Sequence, residues 1–305
     1  MGLKRLVHGR AIDAARWCRV ELMNPISSGT AMQPITVNAA LAAQVLDIAR
    51  EAGVAIMSVY QELCRCAAGA KPVLVAYKAD DSPLTRADLL AHQVIAQGLA
   101  ALTPGIAVVS EEDEPSLKHR QPKGDFWLVD PLDGTKEFLA QNGEFTVNIA
   151  LIRDGRAILG VVVAPALGQA YWGAEGLGAW CDKAGRVEPI QVVKPLAPNQ
   201  PVRAVASKSH MNAETLAFLD RLGPHLLVQA GSSLKFCRVA EGAAEVYPRL
   251  GPTCEWDTAA AQAIVEAAGG HVSKLDGDPL RYGKPDVLNP HFVASSVPLR
   301  DLLRP

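Results

Sequence analysis

Residues 130–138, DPLDGTKEF, follow the apolar run 126–129 (FWLV) and set two carboxylates and a glycine turn at the end of a buried strand. A continuous apolar stretch bounded by turn residues reads as a core strand. Asp130 emerges at its C-terminal end, and Asp133, three residues on, can return to the same point. A turn at Leu132 would aim its carbonyl inward as a further hard oxygen of the kind Mg²⁺ prefers. Gly134 frees the backbone for close approach to a phosphate, and Thr135 offers a hydroxyl at a helix N-terminus, where amide donors favour anions. The plain alternative is a surface turn, because Asp-Gly is among the commonest turn dipeptides.

Other acids shift the balance. Glu111, Glu112, Asp113 and Glu114 follow a second apolar run, 106–109, so another strand ends in carboxylates. Asp257 follows Trp256 and opens the helical segment 258–268, which Gly269 and Gly270 close. As N-cap it would stabilise that helix whatever the function. Converging carboxylates repel one another and take up protons unless cations join them. Two or three divalent ions would make the set a matched site that polarises a phosphoryl oxygen, steadies the leaving group and brings water from a pKa of about 15.7 toward roughly 7.

With these residues in place, the chain resembles the inositol monophosphatase and fructose bisphosphatase superfamily. The resemblance rests on an acidic pair after a strand (SEE, 110–112), DPLDGT, and a distant WD (Trp256, Asp257). Further stretches are similar to the bacterial CysQ-type 3'(2'),5'-bisphosphate nucleotidases: DSPLTRAD at 81–88, NGEFTVNIALI at 142–152, SKSH at 207–210, GSSLKFC at 231–237, YPRLGPT at 247–253 and WDTAAA at 256–261. It runs from about Ile35 to the C-terminus. The Lys136-Glu137 pair after DGT resembles the nucleotidase branch rather than the inositol-phosphate branch.

The resemblance implies that Glu111, Asp130, Asp133, Asp257 and the Leu132 carbonyl bind two or three Mg²⁺ ions, with Glu112 behind them. It implies that Asp88 and Thr135 orient and deprotonate the attacking water, Glu111 being counted with them as catalytic. A hydroxyl is too weak a base alone, and a carboxylate accepting its proton turns it toward the water. Leu132, Asp133, Gly134, Thr135 and Asp257 would meet the scissile phosphate. Ser232, Lys235 and Arg249 would hold a second phosphate, and His210 would lie near the nucleoside. The implied activity is removal of the 3'-phosphate from adenosine 3',5'-bisphosphate, giving AMP, with the sulfated nucleotide as a further substrate, a place in sulfur assimilation and inhibition by Li⁺. The alternatives are an inositol-phosphate or fructose-bisphosphate phosphatase and a non-catalytic nucleotide-binding regulator. Glu245 is a small departure from the pattern.

Composition agrees with a soluble enzyme: 305 residues, 49% of them hydrophobic, exceed one average domain. A net charge of −2 gives no global basic field for nucleic acid, so a small phosphorylated ligand must be selected by local charge. The six cysteines include a C-x-C but no C-x-x-C and read as reduced thiols. No apolar run is long enough for a membrane span. The expected location is cytoplasmic; attachment to the cytoplasmic face of the inner membrane, described for some relatives, and the oligomeric state stay open.

The first 34 residues carry five basic side chains against two acidic ones, +3, leaving −5 for the remainder. They lack the apolar core of a secretory signal and read as a poorly ordered extension or an upstream start, a mitochondrial-type presequence being the minor alternative. Residues 35–195 are expected to form an α+β lobe with most of the metal ligands. In it, Leu41, Val45, Ile48, Ala52 and Ala55 mark an amphipathic helix, and Asp154-Gly155 signals a hairpin. The proline-rich stretch 194–201 reads as a crossing. Residues 196–305 alternate strands and helices as an α/β lobe holding the nucleotide-binding residues and Asp257. The superfamily implies a layered αβαβα sandwich with its metal site in the cleft.

Overall fold

The computed structural model describes residues 35–65, 75–77, 83–193, 200–206 and 212–303. The basic segment 1–34, His210 and most of the proline-rich stretch lie outside the described residues. Helix α1 (Ala39–Arg65) starts at Asn38, whose Oδ1 accepts the Leu41 amide at 2.9 Å. Its buried face runs through Leu41, Val45, Ala49, Ala52, Ile56 and Val59. The expected stripe is therefore displaced, because Ile48 turns toward a second helix and packs on Gly98, where an added Cβ would lie 2.9 Å from Ile48 Cγ1. A two-stranded hairpin, β1 (Val75–Tyr77) and β2 (Pro83–Thr85), leads into that helix, α2 (Arg86–Leu102). A capping box starts it: Thr85 Oγ1 accepts the Ala87 amide at 3.1 Å, and Asp88 Oδ2 accepts the Thr85 amide at 2.8 Å.

Seven strands follow in sequence order across one sheet: β3 (Ala107–Ser110), β4 (Asp125–Asp133), β5 (Thr146–Arg153), β6 (Arg156–Ala164), β7 (Gln169–Ala174), β8 (Gly178–Lys183) and β9 (Arg186–Ile190). Only β3 and β4 are parallel; the others form an antiparallel meander. At the β5–β6 turn Asp154 and Gly155 both have positive φ, 49° and 73°, as a two-residue hairpin whose twist matches its strands requires. A short helix α3 (Thr135–Leu139) follows β4.

The second sheet has the order β11-β10-β12-β14-β13, from β10 (Val202–Ala206), β11 (His225–Gln229), β12 (Val246–Arg249), β13 (His271–Lys274) and β14 (Phe292–Ser295). Its first three strands are parallel, and β14 runs antiparallel to both neighbours. Helices α4 (Ala213–Arg221), α5 (Leu234–Ala240), α6 (Ala259–Ala267) and α7 (Leu299–Leu302) complete the described elements.

Packing orders these pieces into layers. Helices α1 and α2 cover one face of the large sheet, α6 lies on β5 to β8 at its other face, and α5 packs on α6 and on β10, β12 and β14. Helix α4 covers β12 from outside, where Phe218, Leu219 and Leu299 join a separate apolar cluster with Ala204, Val246 and Val293. This is an αβαβα sandwich. The alanine-rich face of α6 approaches β6 so closely that a Cβ at Gly160 would overlap the Ala260 carbonyl. Glu245, whose role the sequence left open, is 2% exposed and pairs with Arg203 of β10, taking its Nε at 2.9 Å and its amide at 2.5 Å. It locks the start of β12, the central strand of the second sheet, to the neighbouring β10.

Candidate active site

Parallel pairing places the first two carboxylates. Ser110 of β3 stands opposite Val129 of β4, and the Glu111 amide extends the pairing to the Val129 carbonyl at 3.1 Å. Glu111 and Asp130 therefore leave neighbouring strand ends side by side, where parallel sheets present ligands.

Asp133 joins them through a fault in the ladder. Side chains alternate along a strand, so residues three apart face opposite ways. Between β4 and β5, however, Asp130 pairs with Asn148 and Asp133 with Thr146, leaving Pro131 and Leu132 opposite Val147 alone. This bulge returns Asp133 to the face of Asp130 and releases backbone at Leu132 from regular pairing. The Leu132 amide folds back onto Asp130 Oδ1 at 3.1 Å. Asp133 Oδ2 lies 3.0 Å from Ser233 Oγ, 3.4 Å from Thr146 Oγ1 and 3.5 Å from Asn148 Nδ2.

The fourth carboxylate comes from the turn before α6. Thr258, not Asp257, occupies the N-cap position and makes no side-chain cap bond. Asp257 Oδ2 instead accepts the Cys254 amide at 2.8 Å, because the 254–258 turn folds the side chain back toward its own start. The Asp257 carbonyl lies 2.9 Å from Ser233 Oγ, so one buried serine touches both Asp133 and the Asp257 segment. Neither this serine nor Asn148, which donates to it at 2.9 Å, was singled out from the sequence. Their types carry no chemical signal.

Oxygens of Glu111, Asp130 and Asp257 lie within 4.8 Å of one another. Burial, then the charges of Asp133 and Glu111, push the Asp257 carboxyl well above the usual carboxylate range. Such crowding of hard oxygen donors fits a divalent cation, which replaces the proton and cancels the repulsion. Above the ordinary range near about pH 4, the folded metal-free chain retains a proton that the unfolded chain releases, so this carboxyl makes stability fall as pH rises through its raised pKa. Metal-free Asp257→Asn is therefore expected to melt higher than wild type near neutral pH, with the gap closing on acidification. Saturating Mg²⁺ should raise the wild-type midpoint and leave the variant behind. A scanning-fluorimetry series in which the variant melts below wild type without metal would contradict this.

Thr135 and Asp88 meet from different elements. Asp88, 1% exposed, sits in the first turn of α2; its Oδ2 accepts the Thr85 hydroxyl at 2.6 Å, and its Oδ1 accepts Thr135 Oγ1 at 3.4 Å. Thr135 begins α3, which Phe138 anchors by packing on Phe145, just before β5, and on Tyr60 of α1, with centroids 5.3 Å away in each case. Gly134, at φ 90°, precedes it, and a Cβ there would overlap Ser232 Oγ. Ser232 Oγ itself lies 2.9 Å from the Asp133 carbonyl and 2.7 Å from that of Glu144. Its single proton is thus claimed by the scaffold. The Glu112 amide donates to Ser110 Oγ at 3.3 Å.

Lys235 and Arg249 approach the carboxylates from α5 and the end of β12. Burial, with Arg249 also contributing, lowers the Lys235 pKa against the opposing pull of Asp133, Glu137 and Asp257. The Lys235 ammonium stands 5.8 Å from the Tyr247 ring centroid. Arg249 donates through Nη2 to the Pro252 carbonyl at 2.7 Å, and its buried Nε has no hydrogen-bond partner among the described residues. Neither cation makes a salt bridge with a described carboxylate. A surface hollow of about 540 Å³ lies elsewhere, lined by Arg50, Val54 and Met57 of α1 and by Ala164 at the end of β6 and Gln169 at the start of β7. It shares no residue with this constellation.

Comparison with known proteins agrees with this geometry. The model of the inositol monophosphatase family matches residues 38–301. The 3'(2'),5'-bisphosphate nucleotidase CysQ of Escherichia coli O157:H7 is 52% identical over 253 residues, covering 83% of this chain and 98% of that protein. The crystal structure of CysQ from Bacteroides thetaiotaomicron, described as a bacterial member of the inositol monophosphatase family, superposes with a TM-score of 0.72 at 38% identity, covering 85% of this chain and 98% of that one. The extragenic suppressor protein suhB of Bartonella henselae shares the fold at 22% identity, with a TM-score of 0.69, covering 87% of this chain and 97% of that one.

Proposed function

This chain belongs to the inositol monophosphatase family, and from that premise we infer that it is a metal-dependent 3'(2'),5'-bisphosphate nucleotidase acting on adenosine 3',5'-bisphosphate. The observation that carries the substrate class is the pair Lys235 and Arg249, two neighbouring cations without a salt bridge among the described residues, next to Asp133 and Asp257. A half-buried cation pair that makes no salt bridge with a described carboxylate leaves its charge for a ligand anion. A nucleotide with two phosphates supplies it: one phosphate faces the carboxylates and the other faces Lys235 and Arg249.

Glu111, Asp130, Asp133, Asp257 and the Leu132 carbonyl would hold two or three Mg²⁺ ions, with Glu112 behind Glu111. When bound, such ions polarise the phosphoryl oxygens and stabilise the departing ester oxygen. The chain's own residues do the rest. Thr135 accepts a hydrogen bond from the attacking water while its hydroxyl proton is held by Asp88, so the water is aimed and its proton has an acceptor. Gly134 admits the phosphate to the backbone, and Asp133 and Asp257 are kept in register by Ser233. Ser232 supports this seat by fixing the turn. Arg249 offers a planar fork and Lys235 a point charge to the uncleaved phosphate. His210, outside the described residues, is assigned to the nucleoside by resemblance alone. Products are AMP and phosphate.

The same reading extends to the sulfated nucleotide, a role in sulfur assimilation, sensitivity to Li⁺ and a cytoplasmic location. It divides the work between a lobe at 35–195 and a lobe at 196–305. Among the described residues no helix is long and apolar enough to cross a membrane. Phosphate release with Mg²⁺ should favour adenosine 3',5'-bisphosphate over inositol 1-phosphate and fructose 1,6-bisphosphate by at least about 100-fold in kcat/KM, roughly 3 kcal/mol of differential transition-state binding. Preference for either of the other two would overturn the nucleotide assignment.

A further inference from the structure

His92 takes no part in the reaction as described, yet it joins the two halves of the site. It sits on α2 one helical turn after Asp88, so the two side chains project from the same side of that helix. Its Nδ1 lies 2.9 Å from Ser110 Oγ, and Ser110 is 1% exposed. The same hydroxyl accepts the Glu112 amide at 3.3 Å, and the Asp113 amide donates to the Ser110 carbonyl at 3.1 Å. Glu111 stands in the middle of the turn these bonds close. Ser116 braces it from the far side, its Oγ accepting the Ser110 amide at 3.1 Å and donating to the Asp113 carbonyl at 2.5 Å.

With the ring proton on Nε2, the Ser110 hydroxyl accepts the Glu112 amide and gives its one proton to His92 Nδ1. Burial lowers the His92 pKa, with Asp113 opposing, which favours the neutral ring such an acceptor requires. A side chain oriented by a fixed hydrogen bond keeps its neighbours in place, as groups behind metal ligands do elsewhere.

We infer that His92 is a positioning residue: through Ser110 it sets the turn that presents Glu111 and holds that carboxylate at a fixed distance from the Asp88–Thr135 pair. This inference rests on the reading of Glu111 as a metal ligand, and the test separates the two. The probe is Mn²⁺, titrated into the full chain and followed by the paramagnetic resonance of the free ion, alongside kcat and KM with the bisphosphate. His92→Phe keeps ring volume and removes the acceptor; His92→Asn keeps an acceptor near the Nδ1 position.

The expected result is Mn²⁺ binding about 10-fold weaker in His92→Phe, with kcat lowered and nucleotide KM little changed, and recovery of most of both in His92→Asn. Ser110→Ala should reproduce His92→Phe, and the double variant should be no worse than either single one, as residues acting through one bond are not additive. Wild-type Mn²⁺ affinity in His92→Phe, additive losses in the double variant, or no recovery in His92→Asn would each overturn the inference. Absence of Mn²⁺ binding by wild type would instead overturn the metal site itself.

Discussion

Asp130→Asn is expected to lower kcat/KM for adenosine 3',5'-bisphosphate by about 10³-fold or more while leaving the fold intact. Asp130 is 2% exposed and shares its surroundings with Glu111 and Asp257, so its charge is hard to replace from solvent. Losing one anionic donor from a site that must hold divalent cations removes several kcal/mol of transition-state stabilisation, and each 1.36 kcal/mol is tenfold. The amide keeps the shape and can still accept the Leu132 amide, so the bulge survives. Relief of like-charge crowding should hold the metal-free midpoint at or above wild type. Phosphate release and thermal unfolding on the same preparation decide the matter: a variant within tenfold of wild type would remove Asp130 from the metal set, and one that fails to fold would assign it to structure.

The second large effect concerns selection rather than chemistry. Arg249→Leu should raise KM for the bisphosphate by about 10- to 100-fold, the range set by losing a charge-assisted hydrogen bond of roughly 1.5–3 kcal/mol. For adenosine 3'-monophosphate, which lacks the second phosphate, the same change should be far smaller. Lys235→Met should show the same bias with an added loss in kcat, because that ammonium also faces Asp133 and Asp257. Steady-state kinetics on the two substrates read the bias directly. Equal losses on both would mean that Arg249 serves the loop through its bond to Pro252 and does not touch the ligand.

Much of this site was legible in the chain because its parts are local. Apolar runs ending in acids place Glu111 and Asp130 at strand ends, and Thr85 with Asp88 three residues on reads as a helix start. The pairing that sets Glu111 beside Asp130 is a matter of register, which no short stretch encodes. For Asp257 the cap of a helix was the plain alternative to a metal ligand, because acids before a helix commonly cap it; in the folded chain the 254–258 turn gives its side chain a nearer donor in the Cys254 amide. Glu245 looked like a deviation in a binding segment and turned out to be a buried partner of Arg203, 42 positions away. Ser233 and Asn148 were invisible for a related reason: each is an ordinary polar residue until the second sheet and α5 come to rest against β4 and β5. His92 and Ser110, 18 residues apart, join only when α2 lies along the end of β3.

The bulge between Asp130 and Asp133 has one more consequence. A shorter Asp-x-Asp strand would turn both acids the same way with every rung of the ladder intact. The surplus residue is therefore superfluous for the acids; what it adds is main chain freed from its partner strand. One oxygen of the site would then be written in chain length rather than in residue type, and substitutions at position 132 that preserve the count would preserve it.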